Sequence, residues 1–120
     1  MVPVGSGTLT YVKSITFDCA DALVVARFWA AALGGELDTD ATSGKAYVEA
    51  PGWGGPNLWF QRVPEPAVAK NRMHFDLRAP GGRCRSWLRK ELLAYERRGV
   101  VDATEERRPA HFHVVVYKAP

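Results

Sequence analysis

The sequence contains the same order of predicted secondary-structure elements twice. In residues 9–19, apolar and polar side chains alternate, which predicts a strand, and a helical apolar stripe follows and ends at Gly34 and Gly35. In residues 72–78 the alternation returns, and the helical stripe behind it ends at Gly99. The order of strand, helix and further strands therefore occurs twice. This repeated order predicts an α+β fold built from two related modules.

The first module is predicted to occupy residues 8–66. Asp21 is the expected N-cap of its helix, because a carboxylate there can accept a hydrogen bond from a free amide of the first turn. Three extended stretches follow, at residues 36–39, 45–50 and 57–63, and residues 65–71 are the expected linker. The helix is expected to bury an apolar stripe consisting of Val25, Phe28, Trp29, Ala32 and Leu33.

The second module is predicted to be shorter and to occupy residues 71–118. It repeats the letters Phe17-Asp18 of the first strand as Phe75-Asp76, and strands are expected at residues 100–105 and 111–117. Its helix is expected to bury the stripe Cys84, Trp87, Leu88, Leu92 and Tyr95. Both modules are assigned to a single domain spanning residues 1–120, which is an ordinary domain length.

Composition narrows the class of protein. With 47% hydrophobic residues, the chain can form a core without cross-links, and Cys19 and Cys84 are expected to be buried free thiols, as in a reducing cytosol. The N-terminus does not have the pattern of a signal peptide, and no apolar run approaches the ~20 residues of a membrane helix. These observations predict a cytoplasmic protein that does not bind membranes.

The net charge of +3 is concentrated around the second predicted helix. Glu91 and Glu96 interrupt the basic run, and no groove-reading motif accompanies it. A solvated helix face is therefore preferred over a nucleic-acid surface. The basic side chains concerned are Arg83, Arg85, Arg89, Lys90, Arg97, Arg98, Arg107 and Arg108.

Four segments carry a resemblance to a known family. Residues 15–21 and 26–34 resemble the opening of glyoxalase-like domains of the vicinal-oxygen-chelate (VOC) superfamily, and residues 58–66 and 70–78 resemble their middle segment. The resemblance implies two βαβββ modules that form a curved mixed sheet around a groove. It also implies one of several activities, which include metal-dependent isomerases, ring-cleaving dioxygenases, fosfomycin-modifying transferases and metal-free drug-binding proteins, so the fold does not choose the function.

The sequence departs from the family pattern in two ways. Metal-binding members usually carry a histidine early in the first strand, where this chain has Ser14, and the equivalent place in the second half falls near Arg72. Neither side chain suits a divalent cation. The second departure is at the C-terminus, where the last strand of the second module is expected to be missing. An open sheet edge invites pairing, so a homodimer is predicted.

Candidate site residues follow from the alternation, because the polar faces of the strands are left to line the groove once the apolar faces pack on the helices. His74 is the first candidate for acid, base or ligand, and Asp18 and Asp76, at matched positions, can divide acid and base roles. The alternatives are a histidine hydrogen-bonded to an aspartate, and salt bridges to Arg72 or Arg78. The expected ligand-binding residues are Thr16, Tyr47, Glu49, Trp59, Gln61 and His113.

No cofactor is predicted, although a divalent metal is left open. If one is bound, the candidate ligands are His74, Gln61 and Glu49, and the spacing of His111 and His113 also permits chelation. The preferred function is binding of a small molecule in the inner groove without the family's usual metal site. The alternatives are a metal-dependent lyase, isomerase or dioxygenase, and a dimeric drug-sequestering protein of the bleomycin-resistance kind, which the basic charge disfavours.

Overall fold

A computed structural model of the chain describes residues 10–51, 55–63, 74–79, 81–105 and 111–115. The chain divides into two compact units, residues 1–64 and residues 65–120. The predicted linker at residues 65–71 lies outside the described residues, as do Arg72 and the end of the last predicted strand at residues 116 and 117. Among the described residues, neither helix has the length and apolar composition needed to cross a bilayer.

The first unit forms a four-stranded mixed sheet with one helix. Its elements are β1 (Ser14–Cys19), α1 (Ala22–Leu33), β2 (Glu36–Leu37), β3 (Lys45–Glu49) and β4 (Asn57–Arg62). The strand order is β1-β4-β3-β2, in which β1 and β4 run parallel and the other neighbouring strands run antiparallel. This β-α-β-β-β order confirms the predicted α+β class and the predicted composition of the first module.

Local signals in the sequence account for both ends of α1. The Asp21 carboxylate accepts a hydrogen bond from the backbone amide of Val24 at 3.2 Å, which is the expected N-cap. At the other end Gly34 adopts a left-handed conformation with φ of 66°, and its amide donates to the carbonyl oxygens of Ala30 and Ala31. A residue without a Cβ adopts this conformation without strain, so the helix ends here.

The core of the first unit lies between α1 and one face of the sheet. Val25, Phe28 and Trp29 of α1 are buried, and α1 contacts β3 and β4. The Phe17 and Phe60 rings of the neighbouring strands β1 and β4 stack with centroids 5.5 Å apart. Because side chains alternate along a strand, burial of this apolar face places the intervening residues on the opposite face.

The second unit forms a three-stranded sheet with a longer helix in the part that the structure describes. Its elements are β5 (His74–Arg78), α2 (Gly82–Arg97), β6 (Asp102–Glu105) and β7 (His111–Val115). The strand order is β5-β7-β6, with both neighbouring pairs antiparallel. Because the chain beyond residue 115 is not described, the expected absence of a final strand stays a prediction.

Two expectations for α2 are wrong. Leu88 and Leu92 are buried as predicted, but Cys84 is exposed and Trp87 is 40% exposed. Cys84 lies in the first turn of the helix, and Trp87 is rotated by about 100° from Leu88 around the helix axis. The apolar stripe that contacts the rest of the unit is therefore shorter and narrower than the sequence pattern suggested.

Candidate functional site

The strongest candidate site is the face of the first sheet opposite α1, which we call the polar face. Along β1, β3 and β4, the alternate side chains that lie on this face are half-buried or exposed, whereas the side chains between them form the core. The polar face comprises Thr16, Asp18, Lys45, Tyr47, Glu49, Trp59 and Gln61. The strand register brings most of the predicted ligand-binding residues together on one surface.

Asp18 and Gln61 form a hydrogen-bonded pair on this face. They are register partners in the parallel strands β1 and β4, and the Gln61 Nε2 donates to the Asp18 Oδ1 at 2.8 Å. Within the first unit, the hydrogen-bond partner of Asp18 is therefore an uncharged amide. Arg72 lies outside the described residues, and the salt bridges considered from the sequence stay predictions. The amide fixes the orientation of the carboxylate and leaves the second carboxylate oxygen to accept a hydrogen bond from a ligand.

Tyr47 and Trp59 form an aromatic pair beside it. They are register partners in β3 and β4, their ring centroids lie 4.4 Å apart with the planes tilted by 42°, and both side chains are half-buried. Trp59 is also the register partner of Thr16, so a hydroxyl lies next to the rings. This arrangement provides an apolar contact area with polar groups at its margin, as small-molecule sites do.

Lys45 is a member of the polar face that sequence reasoning missed. Its Nζ lies 5.0 Å from the centre of the Trp59 ring, a cation–π geometry, and Lys45 is the register partner of Gln61. The signal was present, because Lys45 lies two residues before Tyr47 on the same strand and therefore on the same face.

Glu49 and Gln61, two of the candidate metal ligands, lie well apart along the polar face. Gln61 pairs with Lys45 at the start of β3, whereas Glu49 ends that strand four residues later and pairs with Glu36 of β2. Four residues of strand span about 13 Å, and side chains on one sheet face project roughly in parallel. This separation does not favour their sharing one ion, and the metal alternative stays a prediction.

The second unit holds a carboxylate–imidazole pair. The Asp76 Oδ1 lies 2.7 Å from the His113 Nδ1, and the two residues are register partners in β5 and β7. Thr104 of β6 is the register partner of His113 on its other side. The pair joins a predicted catalytic residue to a predicted ligand-binding residue, and the imidazole is 42% exposed.

The structure describes His74 and His111 as strand residues, paired in register with Val115 and Arg78, while their side chains lie outside what it describes. Asp18 belongs to the first unit, and His74 and Asp76 belong to the second. The roles predicted for these three residues, and the groove shared between the modules, stay predictions.

The described residues do not supply the metal site of the family's metal-dependent members. No group of three or more histidine, cysteine, aspartate or glutamate side chains that could hold an ion occurs within the described ranges. Ser14 is the first residue of β1, which is where the resemblance places a histidine, and a neutral hydroxyl is a poor ligand for a divalent cation. Within the described ranges this donor set does not fit the group, and no step through a metal follows from it.

Cys19 is not a nucleophile candidate. Burial raises the pKa of its thiol from 9.0 to about 11, and the negative charges of Asp21 and Asp18 act in the same direction. The side chain is 2% exposed, and its sulfur contacts the backbone carbonyl oxygen of Gln61 at 3.6 Å. A buried thiol with a raised pKa is mostly protonated at neutral pH and is unreactive.

The architecture and the site together define a class of protein: α+β units in which a helix covers one face of a sheet and the other face presents polar and aromatic side chains. The family model for the glyoxalase-like domain matches residues 14–117, so the chain belongs to this family of the VOC superfamily. The recognition made from the sequence is thereby confirmed. Neither the curated proteins nor the solved structures contain a significant match to the chain.

Proposed function

We propose that this protein binds a small organic molecule on the polar face of its first sheet, with Tyr47 and Trp59 as the contact surface and Asp18 as the polar anchor. The observation that carries the proposal is the Tyr47–Trp59 pair, half-buried on a face whose opposite side is packed against α1. Aromatic side chains in such a position gain free energy when a ligand covers their remaining exposed surface.

Polar groups around the rings give the ligand an orientation. The Gln61 amide holds the Asp18 carboxylate in place, so an N–H or O–H group of a ligand meets an acceptor whose position is already fixed. Because this acceptor is already held in position, less conformational entropy is lost when a ligand binds to it than when a mobile side chain must be ordered. The Thr16 hydroxyl next to Trp59 adds a donor or an acceptor to the same surface.

The test is a thermal-shift screen of small organic molecules against the intact chain. A ligand present at about 100 times its dissociation constant stabilises the folded state by about 2.7 kcal/mol, which raises the melting temperature measurably. The variant Trp59→Leu should abolish the shift. The matched control is Trp87→Leu, which removes an exposed tryptophan of α2 and should leave the shift unchanged. Shifts that persist in Trp59→Leu would refute the site, whatever the result for Trp87→Leu.

A metal-dependent activity receives no support from the described side chains. Elemental analysis of freshly purified protein tests this directly. Stoichiometric zinc, nickel or iron that is lost in the variant His74→Ala would overturn a metal-free reading and would favour the lyase, isomerase or dioxygenase alternative.

A further inference from the structure

The polar face carries a charge arrangement that selects among ligands. Asp18, Gln61 and Lys45 form one row across β1, β4 and β3, because each is the register partner of the next. Neighbouring strands lie about 4.8 Å apart, so the backbone positions of Asp18 and Lys45, two strands apart, are separated by about 10 Å. The Gln61 amide between them donates a hydrogen bond to the Asp18 carboxylate. The row therefore carries the negative charge of Asp18 at its β1 end and the positive charge of Lys45 at its β3 end.

Lys45 is a cation without a carboxylate partner. Its side chain is exposed, and among the residues that the structure describes it makes no ion pair; its ammonium group rests on the face of Trp59. A cation–π contact at an exposed site is weak compared with a charge-assisted hydrogen bond to an anion. The long, flexible lysine stem allows the ammonium to leave the ring and meet a ligand anion.

The aromatic pair lies directly beside the positive end of this row. Tyr47 and Trp59 are two residues along their strands from Lys45 and Gln61, a distance of about 7 Å. A planar ring seated on the aromatic pair therefore places a substituent within reach of the Lys45 ammonium. A cationic substituent near Lys45 would be repelled by the ammonium group, and an anionic substituent near Asp18 would be repelled by the carboxylate.

We propose that the polar face takes a planar aromatic ligand that carries an anionic group, with the ring on Tyr47 and Trp59 and the anion on Lys45. The proposal rests on the proposed function and names the chemical class of its ligand. The net charge of +3 acts in the same direction, because it attracts anions to the whole molecule.

The experiment compares three probes with the same ring and different charge: 2-naphthoate, 2-naphthalenemethanol and 2-naphthylmethylamine. Isothermal titration calorimetry on the intact chain should give the tightest binding for the carboxylate. Lys45→Met should weaken carboxylate binding by about tenfold, the scale of one charge-assisted hydrogen bond, and leave alcohol binding unchanged. Lys45→Arg should restore carboxylate binding.

Two further variants sharpen the result. Asp18→Asn keeps the acceptor for Gln61 and removes the charge, so carboxylate binding should tighten by about twofold, as expected for one screened charge at about 10 Å. Lys90→Met removes an exposed lysine of α2 and should change nothing, which separates the local effect of Lys45 from net charge.

The outcomes distinguish this inference from the proposed function. If the three probes bind equally, or the amine binds best, and all require Trp59, the ligand class is wrong and the binding face stands. The same conclusion follows if no probe binds while another molecule from the screen requires Trp59. If no probe and no screened molecule requires Trp59, both proposals fail.

Discussion

At the scale of single residues, the contact between Asp76 and His113 predicts which nitrogen of the imidazole carries the proton. The Nδ1 of His113 lies 2.7 Å from a carboxylate oxygen of Asp76. An ionised carboxylate carries no proton, so it can accept a hydrogen bond but cannot donate one. The neutral imidazole is therefore expected to carry its proton on Nδ1. Nitrogen-15 NMR distinguishes the two tautomers directly.

The variant Asp76→Ala should abolish this preference, while Asp40→Ala, which changes an exposed aspartate of the first unit, should not. A wild-type His113 with its proton on Nε2 would show that the contact does not form in solution.

Cys19 makes stability depend on pH in the alkaline range. The pKa of this thiol is about 11 in the folded chain and near 9.0 when the chain unfolds, so only the unfolded state releases the proton as the pH passes 9. Stability is held below pH 9 and is lost between pH 9 and 11. The loss at pH 10 is about 1.4 kcal/mol, from 1.36 kcal/mol per unit of pKa.

Urea denaturation at pH 8 and pH 10 measures this loss when wild type is compared with Cys19→Ala, in which the contribution is absent. Equal losses of stability in the two proteins would contradict it. Alkylation at pH 8 provides an independent check, because the exposed Cys84 should react and Cys19 should not until the chain is unfolded.

At this scale the sequence predicted which side chains share a face, and it did not predict which of them touch. Alternation placed Asp18 and Gln61 on the polar face, but their hydrogen bond depends on the register between strands 43 residues apart in the chain. Local periodicity carries no information about that register. The same limit explains why the contact of Lys45 with Trp59 was missed.

At the scale of elements, the packing of α1 on β3 depends on Gly35. A Cβ at this position would lie 2.6 Å from the backbone carbonyl oxygen of Glu49 and 3.1 Å from a Val48 methyl group. A backbone oxygen cannot move aside as a flexible side chain can, so Gly35→Ala should push the helix end away from the sheet. We expect a loss of about 1–3 kcal/mol of unfolding free energy, the usual cost of overpacking.

Gly82→Ala is the matched control. Gly82 begins α2 and nothing lies within 4 Å of the position of its Cβ, so the free energy of unfolding should stay the same or rise slightly. Chemical denaturation gives both values. A Gly35→Ala variant as stable as wild type would contradict the close approach of α1 and β3.

Helix ends that are set by residues in the helix's own terminal turns can be predicted from the sequence. Burial that depends on contact with the rest of the unit is harder to predict. The ends of α1 follow from Asp21 and Gly34, which act within one helical turn. By contrast, the exposure of Cys84 and Trp87 depends on how much of α2 the rest of its unit covers, which the helical period does not report.

At the scale of the whole molecule, the homodimer predicted from the sequence stays a prediction that light scattering can test. The sheet of the second unit has three strands in its described part, with β5 and β6 at its edges. Unpaired backbone groups at an edge can pair with a strand of a second copy. We expect twice the mass of the 13.3 kDa chain at micromolar concentration, and a monomer mass would refute the prediction.

If the polar face is the binding site, a bound ligand covers Trp59. The most direct measurement is an NMR titration of the intact chain with a ligand from the screen, following the indole N–H signals of its four tryptophans. The Trp59 signal should shift most, together with the backbone amides of β3 and β4. If the Trp59 signal stays in place while Trp29 in the core or Trp87 on α2 shifts, the ligand binds elsewhere and the polar face is not the binding site.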